Sequence, residues 1–144
     1  MASLFELAQR SSRFARVSVL LGARTAVDLM GRPDFEALDA DLQVATDDGS
    51  DGAKGFVTEL LERELAREAA ARVYACGPTP MMRRATEITA AVGLSCFVSL
   101  ENRMACGFGV CLGCAVPRPD EGYHLVCRDG PVFESGELSW EGLP

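Results

Sequence analysis

Between Arg72 and Ser99 the chain reads RVYACGPTPMMRRATEITAAVGLSCFVS. Arg72 to Cys76 carries apolar, β-branched and aromatic residues, which predicts a strand. Gly77-Pro78-Thr79-Pro80 ends it, and a proline suits the first turn of a helix. The helix expected from Pro80 to Ala91 is closed by Gly93. Leu94 to Ser99 then reads as a second strand. Strand, helix and strand in that order are one repeat of an α/β fold.

The same alternation runs upstream. Ser3-Leu4-Phe5-Glu6 fits a capping box, with Ser three before Glu, opening a helix to about Ser12. Val17 to Gly22 predicts a buried strand ended by its glycine. Pro33 to Leu38 predicts a short helix, Leu42 to Ala45 a strand, and residues 46–52 a loop. Lys54 to Ala70 carries the clearest helical pattern. Phe56, Val57, Leu60, Leu61 and Leu65 share one face, and Glu59/Arg63 and Glu68/Arg72 are spaced as i,i+4 pairs. The order implies a doubly wound parallel sheet with helices on both faces. Because the pattern opens on a helix, the sheet is expected to lack a first strand.

Residues 1–100 form this α/β zone. Residues 101–144 are rich in Cys, Gly and Pro, and only short strands and loops are expected there. The 144 residues suffice for a real core, and 48% hydrophobic with 24% charged residues excludes a disordered or fibrous chain. No apolar run is long enough for a membrane span, and residues 1–6 lack the pattern of a signal peptide, so the expected compartment is the cytoplasm. The net charge of −7 argues against nucleic acid as a partner. Arg10, Arg13, Arg16, Arg24 and Arg32 cluster early, ahead of an acid-only stretch from Asp34 to Asp51, and read as solvated surface.

Six cysteines in a cytoplasmic chain point to metal binding or chemistry rather than to disulfides. Cys106, Cys111 and Cys114 are spaced C-x4-C-x2-C, with Cys127 following at a distance. That is the plant-type spacing for a [2Fe–2S] cluster, which needs four thiolates around two irons. Gly107, Gly109 and Gly113 supply a loop able to fold tightly and aim N–H groups at sulfur. A zinc site, a disulfide framework and an inert buried set remain alternatives, although zinc sites usually show two short paired hooks. Cys96, within a strand pattern, reads as core, and His124 as a structural or surface residue. Cys76 stands at the carboxyl end of a strand, where ligands bind in doubly wound sheets, or is a buried turn residue.

The run from Ser99 to Cys114, SLENRMACGFGVCLGC, resembles the cluster loop of the electron-transfer subunit of class 1B dihydroorotate dehydrogenase. Cys127-Arg128-Asp129-Gly130-Pro131-Val132-Phe133 is similar to that family's closing segment. Leu21 to Arg24, Val44 to Ser50 and Tyr74 to Met82 resemble it too, and residues 1–100 look like the NAD-binding half of the ferredoxin reductase superfamily. The resemblance implies an electron relay in pyrimidine biosynthesis. Dihydroorotate is oxidised at FMN in a partner catalytic subunit, and electrons pass through [2Fe–2S] to FAD and on to NAD+. It implies Cys106, Cys111, Cys114 and Cys127 as cluster ligands. It also implies a loop at Gly22, Ala23 and Arg24 facing the adenosine. The turn containing Thr46 and Asp47 would line the same cleft, and Cys76, Gly77 and Pro78 would lie near nicotinamide and flavin.

The family's flavin-binding β-barrel, its Arg-x-Tyr-Ser motif and its Gly-rich turn have no counterpart in these residues. The expectation is therefore a subunit component rather than a complete enzyme, with a partial NAD site and no flavin module of its own. A related reductase subunit of the hydrogenase, glutamate synthase or transhydrogenase type, or a cluster-only carrier, fits the same motifs. The surface around Phe108 and Val110 is expected to pack against a partner.

Overall fold

The computed structural model describes residues 2–68 and 71–143. The capping box, which needs the Ser3 side chain, and the last two residues of the helix expected over 54–70 lie outside what is described. The chain divides into two compact units, Met1–Ala69 and Ala70–Pro144. Strand pairing is carried by one three-stranded sheet in each unit and by a separate hairpin in the second.

The first unit runs α1 (Ala2–Ser11), β1 (Ser18–Ala23), a 3-10 turn (Ala26–Asp28), α2 (Arg32–Glu36), β2 (Asp41–Thr46), β3 (Ala53–Lys54) and α3 (Val57–Arg67). β1 and β2 are parallel, from Ser18 opposite Asp41 to Ala23 opposite Thr46. β3 extends the sheet in parallel, with Ala53 opposite Ala45. Leu60, Leu61 and Leu65 of α3 are buried, as are Leu21, Ala45, Phe35 and Ala8. Each buried leucine contributes about 1.5–3 kcal/mol. The exposed Glu59–Arg63 pair on the same helix, at 3.7 Å, adds a few tenths at most. The apolar face therefore seats α3.

Two further contacts fix α3 against the sheet. A Cβ on Gly22 would fall 2.6 Å from Val57 Cβ, so only glycine admits this approach. Glu64 accepts hydrogen bonds from Ser18 Oγ at 2.7 Å and Gln43 Nε2 at 3.1 Å, joining α3 to β1 and β2. Arg16 and Arg67 lie 3.3 and 3.5 Å from the same carboxylate. The Ser18 hydroxyl leads in holding the Glu64 carboxyl below its ordinary range, against the opposing effect of burial.

Several expectations are corrected here. Gly22 does not end β1, because Gly22 and Ala23 both pair within it. Thr46 is the last residue of β2 rather than part of the turn. The long helix begins at Val57, because Ala53 and Lys54 pair with β2 and Gly55 takes a φ of 123°. Phe56 precedes the helix and is 65% exposed instead of lying on the buried face. The helix ends at Arg67, so Glu68 and Arg72 do not share it. Glu68 meets Arg16 at 2.7 Å, and the Arg72 guanidinium lies 5.7 Å from the centre of the Phe97 ring.

The second unit runs β4 (Val73–Ala75), α4 (Thr79–Ala91), β5 (Cys96–Ser99), β6 (Ala115–Pro117), β7 (Tyr123–Leu125), α5 (Val126–Asp129), β8 (Val132–Glu134) and a 3-10 turn (Ser135–Glu137). β4 and β5 are parallel, as the strand–helix–strand reading requires. α4 buries Met82, Ala85, Ile88 and Thr89. The buried Thr89 hydroxyl donates to Ala85 O at 3.0 Å, so it is not left unsatisfied. Gly93, at φ 73°, stops the helix while Leu94 N–H donates to Thr89 O at 2.9 Å. β6 and β7 form the antiparallel hairpin.

The cysteine zone is not built of strands and loops alone. α5 carries Cys127, with Asp129 accepting the Leu125 N–H at 2.7 Å to fix its start. β8 pairs antiparallel with β5, placing Phe133 opposite Val98. Among the described residues no helix is long and apolar enough to cross a membrane.

Candidate metal centre

The four cysteines singled out by spacing fall into two pairs. Cys111 N–H donates to Cys106 Sγ at 3.5 Å. The Phe108 and Val110 N–H groups point at the same sulfur. With the Cys111 N–H leading, these donors pull the Cys106 thiol down to about 6 from 9.0. Cys114 and Cys127 sit at the two ends of the β6–β7 hairpin, with Sγ atoms 3.2 Å apart. Cys127 N–H donates to Cys114 Sγ at 3.5 Å and lowers the Cys114 pKa. Cys127 is pushed up by its bond with the Cys114 thiol.

Gly113 N–H reaches Cys111 Sγ at 3.4 Å, and Gly109 N–H serves Cys127. Each of the four sulfurs thus accepts at least one backbone N–H. Such donors favour thiolate over thiol, which is the form that binds metal. Gly109, at φ 90°, lies in the region that favours glycine, and a Cβ there would meet Leu125 at 3.3 Å. Leu112 also takes a left-handed conformation, at φ 57°.

Soft thiolates suit zinc and iron–sulfur clusters. All six cysteines are free thiols. Among the described residues no group of three or more Cys, His, Asp or Glu side chains is placed to hold one metal ion. The donor set is four thiols in two pairs, each supplied with N–H groups, and its soft sulfur chemistry suits an iron–sulfur cluster. Around it the loop is apolar and open, with Phe108 68%, Val110 72% and Leu112 63% exposed.

Cys96 is 1% exposed, and burial pushes its thiol up, as a core residue requires. His124 is half-buried, its ring 5.1 Å from that of Phe133. Cys76 directly follows β4, and its Sγ lies 3.9 Å from Glu101 Oε1. Pro78 O accepts the Met81 and Met82 N–H groups, starting α4 just beyond Gly77. Sequence reasoning missed Glu101. The available signal was topological: residues just past the carboxyl ends of adjacent parallel strands stand together.

In the first unit, Arg24 follows β1 with its side chain 84% exposed and its Nε 3.9 Å from Asp28. Asp47 follows β2 and is exposed, and its N–H donates to Ala23 O at 3.1 Å. Arg24 and Asp47 therefore flank the carboxyl ends of neighbouring parallel strands. Thr46 is fully buried, its hydroxyl donating to Asp51 O at 2.7 Å and accepting Asp51 N–H at 3.0 Å. That closes the turn after β2.

A family model described as the oxidoreductase NAD-binding domain matches residues 1–87. The chain belongs to this family. A second model, the iron–sulfur cluster binding domain of dihydroorotate dehydrogenase B, matches residues 101–139, which hold Cys106, Cys111, Cys114 and Cys127. The dihydroorotate dehydrogenase B (NAD(+)) electron transfer subunit of Desulforamulus reducens is 40% identical over 129 residues, covering 88% of this chain and 49% of that protein. The probable subunit of the same name from Methanopyrus kandleri is 43% identical over 139 residues, covering 95% and 51%. A chain solved in work on flavin-based electron bifurcation by the NADH-dependent reduced ferredoxin-NADP oxidoreductase superposes with a TM-score of 0.84 at 33% identity, covering 99% of this chain and 51% of that one. The chain spans about half the length of the curated relatives it matches.

Proposed function

We propose that the chain is the NAD-facing and cluster-bearing part of an electron-transfer subunit of dihydroorotate dehydrogenase B, acting in pyrimidine biosynthesis. The observation that carries this reading is the set of four thiols in two pairs, every sulfur receiving a backbone N–H. Cys106, Cys111, Cys114 and Cys127 would hold a [2Fe–2S] cluster. A cluster of this kind takes up and releases one electron at a time. The chain's own residues aim a backbone N–H at each of the four sulfurs, fix their spacing, and expose the loop for close approach. Residues 1–100 serve the nucleotide and residues 101–144 the cluster, a division supported by family models ending at 87 and beginning at 101.

Gly22, Ala23, Arg24, Thr46 and Asp47 border the dinucleotide, with Gly22, Ala23 and Thr46 as strand-end backbone and Arg24 and Asp47 as side chains. Cys76, Gly77 and Pro78 stand on the nicotinamide side, near FAD. The partners are an FMN-containing catalytic subunit and NAD(H), in the reducing cytoplasm that six free thiols suit. The exposed Phe108 and Val110 form the docking face. Anaerobically purified chain is expected to be brown, with equal iron and acid-labile sulfide and an EPR signal on reduction. Stoichiometric zinc in a colourless protein would sink the proposal.

A second reading is service to a transhydrogenase, hydrogenase or glutamate synthase type of partner, and the 33% identical chain from a ferredoxin-NADP oxidoreductase favours the first of these. Co-purification with a dihydroorotate-oxidising subunit decides between the two. A carrier with no nucleotide site of its own would bind neither FAD nor NADH in titrations while keeping its iron.

A further inference from the structure

We infer that Cys114 and Cys127 form an intramolecular disulfide when the chain carries no metal, and that this bond closes the site to loading. The inference goes beyond the proposed function: the bond itself does not depend on which metal the thiols hold, and only its effect on iron uptake rests on that reading.

The fold alone keeps the two sulfurs together. Cys114 directly precedes β6 and Cys127 follows β7 by one residue. The hairpin pairs Ala115 with Leu125, and Val126 N–H donates to Cys114 O at 3.2 Å. Cys127 N–H then reaches Cys114 Sγ at 3.5 Å. The ladder continues past the last strand residues up to both cysteines, so no metal is needed to hold them. Their sulfurs are 3.2 Å apart, and a disulfide bond requires about 2.05 Å. The remaining movement is about one ångström, within the reach of a side-chain torsion.

Exposure sets the order of events. Cys114 is 2% exposed and cannot meet a reagent directly. Cys127 is half-buried and can. The co-reactant is a small disulfide such as glutathione disulfide. In the first exchange the Cys127 thiolate attacks it, forming a mixed disulfide and releasing one glutathione thiolate. In the second, the Cys114 thiolate attacks Cys127 Sγ and releases the other. Two protein thiols are oxidised, one glutathione disulfide is reduced to two glutathiones, and the two thiol protons pass to the leaving groups. The product removes two of the four metal donors together. It also shields both sulfurs from deeper oxidation, which cannot be reversed by a thiol.

The test uses the full chain, stripped of metal by a chelator and exposed to glutathione disulfide. Free thiols are then blocked and the peptides mapped by mass spectrometry. The expected product links Cys114 to Cys127, and its iron uptake is lost until dithiothreitol restores it. Cys114→Ser should accumulate glutathione on Cys127, whereas Cys127→Ser should leave Cys114 unmodified. A principal crosslink between Cys106 and Cys111, a free Cys114 after treatment, or undiminished iron uptake by the oxidised chain would each overturn the inference.

Discussion

Replacing Glu64 with Gln tests the account of how the first unit holds its helix. The Glu64 side chain is 12% exposed and receives the Ser18 hydroxyl at 2.7 Å and the Gln43 amide at 3.1 Å. A glutamine oxygen can accept from one of these donors, while its own amide group faces the other. One charge-assisted hydrogen bond is lost and another becomes neutral. Bonds to a charged acceptor contribute about 1.5–3 kcal/mol. Arg16 is half exposed, so its ion pair adds little. The expected loss is about 2 kcal/mol, or about thirtyfold in the folding equilibrium. It should appear in urea unfolding at neutral pH and as faster hydrogen exchange in β2. The sign with pH follows from the lowered carboxyl pKa. A carboxyl with a depressed folded pKa stabilises fully above its unfolded value of about 4.3, and that contribution fades as pH falls through the folded value. The wild-type advantage over Glu64→Gln should therefore shrink in acid. A deficit equal in neutral and acid solution, or one under about 0.5 kcal/mol at neutral pH, would refute the reasoning.

Other outcomes follow from the same geometry. Gly22→Ala forces a methyl against Val57 and should cost about 1–3 kcal/mol, read from the urea midpoint. Gly109→Ala strains a residue at φ 90° beside Leu125 and should lower the iron retained per chain after gel filtration. In metal-free protein, alkylation of Cys106 should rise with pH through a midpoint at about 6, because the thiolate is the reactive form. Cys96 and Cys114, 1% and 2% exposed, should be the last thiols labelled until urea is added.

The strand–helix–strand of residues 72–99 was legible because its helix is long and its breaks chemical: Pro80 lies in the helix's first turn and Gly93 closes it. The cysteine spacing was legible because core packing does not place four thiols at such fixed intervals, whereas a cluster with four ligands of one type demands it. β3 was not, since two residues carry no periodicity and its pairing with β2 is set by the turn that Thr46 closes. Phe56 was misplaced for the same reason: a helical pattern extends backwards through any apolar residue until tertiary contacts cut it. The contact of Glu101 with Cys76 was not legible, because it joins residues 25 apart in sequence through neighbouring strands. The left-handed residue at Leu112 was not legible, because glycine is the commoner tenant of that conformation.

The pairing of β8 with β5 has a bearing on how this protein can be rebuilt. A designer transplanting the thiol loop onto another scaffold would naturally cut at residue 100, where the composition changes. That cut strips one edge of β5 and leaves β8 without its ladder, exposing two strands to adventitious association. The Phe133 side chain, now 3% exposed, would lose the strand opposite it. A graft that keeps residues 71–143 together retains both edges, so the natural unit of exchange begins before β4.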